Sequence, residues 1–382
     1  MLTRQPDTQK ALILFVDLFN IGGIQKYNKH LCDALASEFS HIGFTGISLY
    51  DLRSNEDGYK WPNIKISISA KVKIRPIQKI VFIAKAILAV VKEKPRFLIC
   101  CHVDIAPLAL FLKRFFYLKY AVLTHGTDVW YLRKGIKLEA LKNADTIITV
   151  SAHTKNKLVA NGIFAYKIEL LKDTIDTSFF HPKPINNKLV TSLGLENKYT
   201  LLTVGRIRSD EKYKGHDVMI SVVEKLGSEY IWLVIGAGAD YPRLKSKAEK
   251  LGIIGKTRFL GNVTREDLVD YYNLCDCFVM PSKGEGFGIV FLEALACGKP
   301  VIAGDKDGSL EPLMNGKLGF AVDPDNLDEI IKAVHLACSV KKDTDHVQRD
   351  IKEVETNFGI TAFNKRVKEI FSGELKCGKT KR

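Results

Sequence analysis

Residues 281–304, PSKGEGFGIVFLEALACGKPVIAG, join the end of a strand, a glycine-rich turn and an apolar helix in one run. CFVMPS (277–282) reads as the strand, KGEGFG as the turn, and IVFLEALACG as a helix stopped near Gly298. A strand that feeds a helix through glycines leaves the first helical amides without intrahelical acceptors, at the positive end of the helix dipole. The amides of Phe287, Gly288 and Ile289 are therefore candidates to hold a phosphate. Two carboxylates bracket them, Glu285 in the turn and Glu293 inside the helix. A glycosidase pair would need its carboxyls about 5 to 9.5 Å apart across one bond. Eight residues of helix rise roughly 12 Å, which sets that chemistry aside.

Outward from this stretch, short β-rich runs alternate with helix-length segments. ALILFVDLF, FTGISLY, IKISIS, FLICC, YAVLTHG and TIITVS come first, then YTLLTVGRI, YIWLVIGAG, RFLGNV, CFVMPS and PVIAG. Continuous apolar runs of this kind suit parallel strands covered on both faces. The two series are separated by DTIDTSFFHPKPINN, which holds Pro182 and Pro184. The expectation is an α/β protein with two doubly wound Rossmann-like domains facing a cleft, where ligands of such sheets bind. The first domain is expected over residues 1–180 and the second over 181–358. A C-terminal helix that can pack back on the first domain follows over 359–382, with a basic tail.

The chain has 382 residues, 46% hydrophobic and 26% charged, which suits globular domains rather than disorder. Its eight cysteines include no Cys-x-x-Cys pair, so a zinc ribbon is not expected and the thiols read as reduced core residues of a cytoplasmic protein. The N-terminal MLTRQPDTQK lacks the apolar core of a signal peptide. The most apolar helix candidate, Ile77 to Val91, is interrupted by Lys79 and Lys85 and is too short to span a bilayer. The net charge of +14 is uneven: Tyr59 to Tyr120 holds 13 Lys and Arg against only Glu93 and Asp104. That excess calls for an anionic surface as partner. The bases are interleaved with aliphatic and aromatic residues, as in interfacial helices, and there is no aromatic nucleic-acid motif. An anionic membrane is therefore expected, met peripherally at the inner face of the cell membrane, and nucleic acid is not.

GEGFGIVFLEALACGKPVIA (284–303) resembles the Glu-x7-Glu signature of GT-B-fold retaining glycosyltransferases, in particular glycosyltransferase family 4. VGRIRSDEKYKGHDVMI (204–220) is similar to that family's Gly-Arg…Lys-Gly segment, FNIGGIQKYNKHLCDAL (19–35) to its Gly-Gly loop and helix, and THGTDVW (124–130) to its His-Gly-x-acid segment. DTIDTSFFHP resembles the inter-domain stretch, although Asp173-Thr174 stands where Asn-Gly is usual. The similarity runs in order from about residue 11 to residue 330.

The resemblance implies transfer of a sugar from a nucleotide-diphosphate donor to a polysaccharide or glycolipid precursor. Arg206 and Lys214 would offset charge on the β-phosphate, with the Phe287–Ile289 amides as further donors. Glu293 would accept from the donor ribose and Glu285 from a donor-sugar hydroxyl. Gly22 and Gly23 would let backbone approach the diphosphate, and His125 would contact the sugar with Asp128 beside it. His125 is not assigned as a general base, because a β-phosphate oxygen can take the acceptor's proton. No cofactor or metal is expected. Asp305-Lys-Asp307 and Asp323-Pro-Asp325 formally match a metal-binding Asp-x-Asp but read as turns. VIGAGAD (234–240) has Gly236 and Gly238 after a strand, but Tyr241 stands where a dinucleotide fingerprint needs its third small residue. The alternatives are a nucleotide-sugar epimerase on the same fold and a catalytically silent sugar-nucleotide-binding protein.

Overall fold

The computed structural model describes residues 9–52, 60–339 and 344–375. The N-terminal run 1–8, the Tyr59 end of the basic stretch and residues 376–382 of the tail lie outside them. The chain divides into two compact units, Met1–Asp173 with Thr361–Arg382, and Thr174–Ile360.

The first unit is built on seven parallel strands. They are β1 Lys10–Phe15, β2 Gly43–Ser48, β3 Ile64–Ile68, β4 Phe97–Cys100, β5 Lys119–Thr124, β6 Thr146–Thr149 and β7 Ile168–Leu170. Their order is β3-β2-β1-β4-β5-β6-β7. Ala11 to Phe15 and all of β4 are buried, as runs covered on both faces must be. Three helices matter below: α1 Gly23–Glu38, α2 Arg75–Glu93 and α3 Ala106–Phe116. α2 sets Gln78, Phe82, Ala86 and Val90, one residue per turn, against the sheet.

The second unit has six parallel strands, β8 Tyr199–Val204, β9 Tyr230–Ile235, β10 Thr257–Gly261, β11 Cys277–Met280, β12 Val301–Gly304 and β13 Phe320–Val322. Their order is β10-β9-β8-β11-β12-β13. The chain reverses its direction of winding between β1 and β4 in one sheet and between β8 and β11 in the other. At such a switch point two adjacent loops part and leave a crevice at the C-terminal strand ends. Gly22-Gly23 follows β1, Arg206 follows β8, and the 281–304 stretch begins at the end of β11.

The division at Asp173/Thr174 falls ahead of the expected border at residue 180, for a physical reason. Thr174 Oγ1 donates to the Phe358 carbonyl at 2.7 Å, Ile175 bridges Gly359, and the Phe180 ring stands on Tyr272. These contacts tie 174–180 into the second unit. The final helix, Ile360–Phe371, contributes Phe363 against Tyr27 and Phe371 against Phe97 in the first unit. Arg366 pairs with Glu169 at 2.6 Å and Lys368 with Glu38 at 2.9 Å. Cys32, Cys100, Cys101, Cys275, Cys277, Cys297 and Cys338 are all free thiols.

Candidate active site

In the second unit, β8 ends at Val204, and Arg206 stands in the loop that leads to the 3-10 turn Ser209–Lys214. Lys214, at the end of that turn, donates from Nζ to Glu285 Oε1 in the glycine loop. Both side chains are largely buried, Lys214 13% and Glu285 14% exposed. Burial alone would lower the ammonium pKa, but the Glu285 and Glu211 carboxylates outweigh it and the net shift is upward. Lys214 is therefore a permanent cation. Its ammonium also lies 5.4 Å from the Tyr213 ring centroid.

Arg206, more exposed, pairs with Glu211 at 2.6 Å. Glu211 Oε2 is buried and accepts no hydrogen bond among the described residues, with Lys214 Nζ at 4.0 Å. Sequence reasoning missed Glu211. The signal was there: an acid three residues before Lys214 in RSDEKYK shares a helical face with it. His216 is buried behind this cluster and, through burial and then the nearby Lys214 charge, sits at about 4. It is a neutral imidazole.

The loop leading from Glu285 is held by Asp307. This buried carboxylate accepts from the Glu285 amide at 2.7 Å, the Ser282 hydroxyl at 2.8 Å and the Ser309 amide at 2.9 Å. Gly288 then caps the helix Ile289–Ala296 at φ +89°, where a side chain would meet the Phe291 ring at 2.5 Å. Among the described residues, no carbonyl or side chain accepts from the amides of Phe287, Gly288 or Ile289. Glu293, one helical turn further, is only 4% exposed and accepts from the Tyr272 hydroxyl at 2.8 Å. The sequence implied that this carboxylate needs a partner, but nothing local named Tyr272.

In the first unit, His125 follows β5 and is partly buried. Its Nε2 lies 3.1 Å from the Cys101 carbonyl, which can only accept, so Nε2 carries the proton and Nδ1 the lone pair. Burial, with the neighbouring His102, drops its pKa to about 3. The His125 amide donates to both oxygens of Asp128, at 3.0 and 3.2 Å. Burial raises Asp128 to about 7 against those hydrogen bonds. His102 stacks on His125 at 6.0 Å and was also missed, although CCHVD places it after β4 as THG places His125 after β5. Gly22 precedes α1 in extended backbone and its carbonyl accepts the Lys26 amide at 3.0 Å. A side chain built at Gly23 would meet nothing within 4 Å, so the start of α1 is open.

The rival motifs resolve into local structure. A side chain at Gly236 would lie 1.9 Å from the Gly205 carbonyl, so this glycine permits close approach of the loops after β8 and β9. Asp307 is spent on the loop, and Asp323 and Asp325 pair with Lys306 at 2.5 and 2.9 Å. Among the described residues no group of three or more His, Cys, Asp or Glu could hold a metal ion.

Residues 187–353 match the family model "Glycosyl transferases group 1". The GDP-mannose-dependent alpha-(1-6)-phosphatidylinositol monomannoside mannosyltransferase of Mycolicibacterium smegmatis is 29% identical over 226 residues, 55% of this chain and 58% of that protein. A D-inositol 3-phosphate glycosyltransferase of a Mycobacterium species is 30% identical over 198 residues, 50% of this chain and 44% of that protein. The chain thus spans 58% and 44% of the length of these two curated relatives. Among solved structures, Anabaena HepE in complex with UDP aligns with TM-score 0.79 at 17% identity, covering 96% of this chain and 100% of its own. The sucrose-phosphate synthase of Thermosynechococcus elongatus aligns with TM-score 0.80 at 18% identity, covering 96% and 99%. At such identities the likeness establishes the fold, the GT-B type expected from the sequence.

Proposed function

From the match of residues 187–353 to the glycosyl transferases group 1 family model, we propose that this chain belongs to that family and is a retaining hexosyltransferase. It moves a sugar from a nucleotide-diphosphate donor to a glycan or lipid-linked acceptor. One observation carries the reading: a buried, protonated Lys214 sits against Glu285 in a loop whose helix-start amides have no acceptor among the described residues.

The chemistry follows from where charge moves. As the glycosidic bond breaks, negative charge grows on the β-phosphate, and Lys214, Arg206 and the Phe287–Ile289 amides stabilise it. These donors do a metal's work, so no divalent ion is required. Glu285 accepts from a hydroxyl of the donor sugar, which exchanges one partner of its carboxylate for another. Glu293, oriented by Tyr272, serves the ribose hydroxyls. Neutral His125 offers its Nδ1 lone pair to a sugar hydroxyl, with Asp128 fixing the local backbone, and Gly22 and Gly23 let backbone near the diphosphate. The acceptor hydroxyl attacks from the leaving-group face and passes its proton to a β-phosphate oxygen, so the anomeric configuration is kept.

A lipid-linked acceptor is supported by the mycobacterial relative, which is named for a phosphatidylinositol monomannoside and GDP-mannose. The basic stretch between residues 59 and 120 supports work on the cytoplasmic face of an anionic membrane. No helix among the described residues is long and apolar enough to cross one. Mass spectrometry of products from a panel of UDP- and GDP-sugars with lipid extract tests the proposal. A glycosylated product with release of nucleoside diphosphate is expected. No product from any donor, or conversion of the donor sugar without an acceptor, overturns it, the latter in favour of an epimerase.

A further inference from the structure

α2 has two apolar faces, and the fold uses only one of them. Gln78, Phe82, Ala86 and Val90 are buried against the sheet. Ile77, Ile80, Ile83, Leu88 and Val91 are 42, 67, 43, 49 and 53% exposed. At about 100° per residue these five, with Ala84 and Ile87 among them, fill a continuous outward arc of roughly 140°. Lys79 borders one side of that arc and Lys92 the other. A helix that is apolar on both faces is expected to be covered on both, and a contiguous exposed apolar face marks an interaction surface.

The surroundings say what covers it. Val72 and Ile74, just before α2, are 41 and 53% exposed, and the bases Lys71, Lys73 and Lys79 form no ion pair among the described residues. Both acids of the stretch are already engaged, Glu93 by the Thr45 hydroxyl and Lys10, and Asp104 by Lys137. α3, which packs beside α2, adds Phe115, and Tyr117 follows its end, 66 and 91% exposed. Unpaired lysines around isoleucines, with aromatic rings nearby, suit a bilayer interface, where bases meet anionic headgroups and apolar side chains enter the acyl boundary. A protein partner's interface core is instead depleted in lysine.

We infer that the outer face of α2 lies in the plane of an anionic membrane with Ile77, Ile80, Ile83 and Leu88 inserted. Attachment is then apolar as well as electrostatic. This rests on the membrane reading above and extends it, since attachment by charge alone would be released by salt.

The full chain is floated with vesicles of phosphatidylcholine and phosphatidylglycerol, and with phosphatidylcholine alone, in 0.1 and 0.5 M NaCl. The wild type should bind the anionic vesicles, weaken severalfold in high salt and remain partly bound. Three part-exposed aliphatic side chains are worth a partition factor of about a hundred, so Ile77→Ser/Ile80→Ser/Leu88→Ser should lose that much at both salts. Lys71→Gln/Lys73→Gln/Lys79→Gln should lose binding chiefly at low salt. Circular dichroism checks the fold of each variant. If the serine variant is misfolded, Ile80→Trp decides: the emission it adds to that of the wild type should shift to the blue and be quenched by brominated phosphatidylcholine. Added emission that is neither shifted nor quenched overturns the inference. So do a folded serine variant that partitions like the wild type, a wild type that binds no vesicle, and self-association abolished by the serine substitutions. Failure of the transfer reading would appear separately, as no product from any donor with vesicle binding intact.

Discussion

Lys214, Arg206, Glu211 and Glu285 form a cluster whose charges cancel: two cations face two carboxylates. On the proposed reading, an incoming diphosphate would therefore compete with Glu285 for Lys214. Lys214→Ala should weaken UDP or GDP binding by roughly 1 to 3 kcal/mol, the worth of charge-assisted hydrogen bonds. Glu285→Gln removes the competitor's charge, so it should leave that affinity unchanged or raise it while transfer falls on the order of a hundredfold. Calorimetry beside a transfer assay separates the two, and a Glu285→Gln variant that loses nucleotide affinity would contradict the exchange. His125 makes a second, independent test. Its pKa of about 3 lies below the unfolded value of 6.5, so its contribution to stability is full above pH 6.5 and is lost as pH falls towards 3. Its imidazole carbon shifts should stay flat between pH 5 and 8 by NMR. A titration centred near 6.5 would show that the ring is solvated and its Nε2–H to Cys101 bond absent.

The turn and helix of 284–296 work as one device. Asp307 pins the Glu285 amide, Gly288 takes φ +89°, and Tyr272 holds the Glu293 carboxylate, so both carboxylates and the helix start are fixed within one short segment. Gly288→Ala adds a methyl in a left-handed conformation and against the Phe291 ring. It should cost roughly 1 to 3 kcal/mol, read from the urea midpoint, with nucleotide affinity falling in parallel. An unchanged midpoint would mean that the turn relaxes freely and does not hold the helix start.

Both sheets place their candidate residues at C-terminal strand ends, and the proposed diphosphate donors there are cations and amides, with no group of three or more metal-ligating side chains among the described residues. Transfer should accordingly survive exhaustive EDTA treatment. Loss on chelation with recovery on Mn²⁺ would instead return Asp305 and Asp307 to consideration, and would require Asp307 to leave its bonds to Glu285, Ser282 and Ser309.

Parallel strands, the two α/β series and the strand–turn–helix of 281–304 were legible because period and glycine placement are local properties. Glu285, Lys214 and Arg206 could be named from spacing and resemblance for the same reason. Three matters were decided only by long-range packing. Tyr272 meets Glu293 across 21 residues and Asp307 reaches Glu285 across 22, separations that leave no periodic trace. The border near residue 173 depends on Thr174 and Ile175 bonding to residues 358 and 359. The pattern of α2 shows an apolar helix with lysines, but which apolar face is buried depends on which one the sheet covers. Burial is a property of the assembled neighbours, and no single segment carries it.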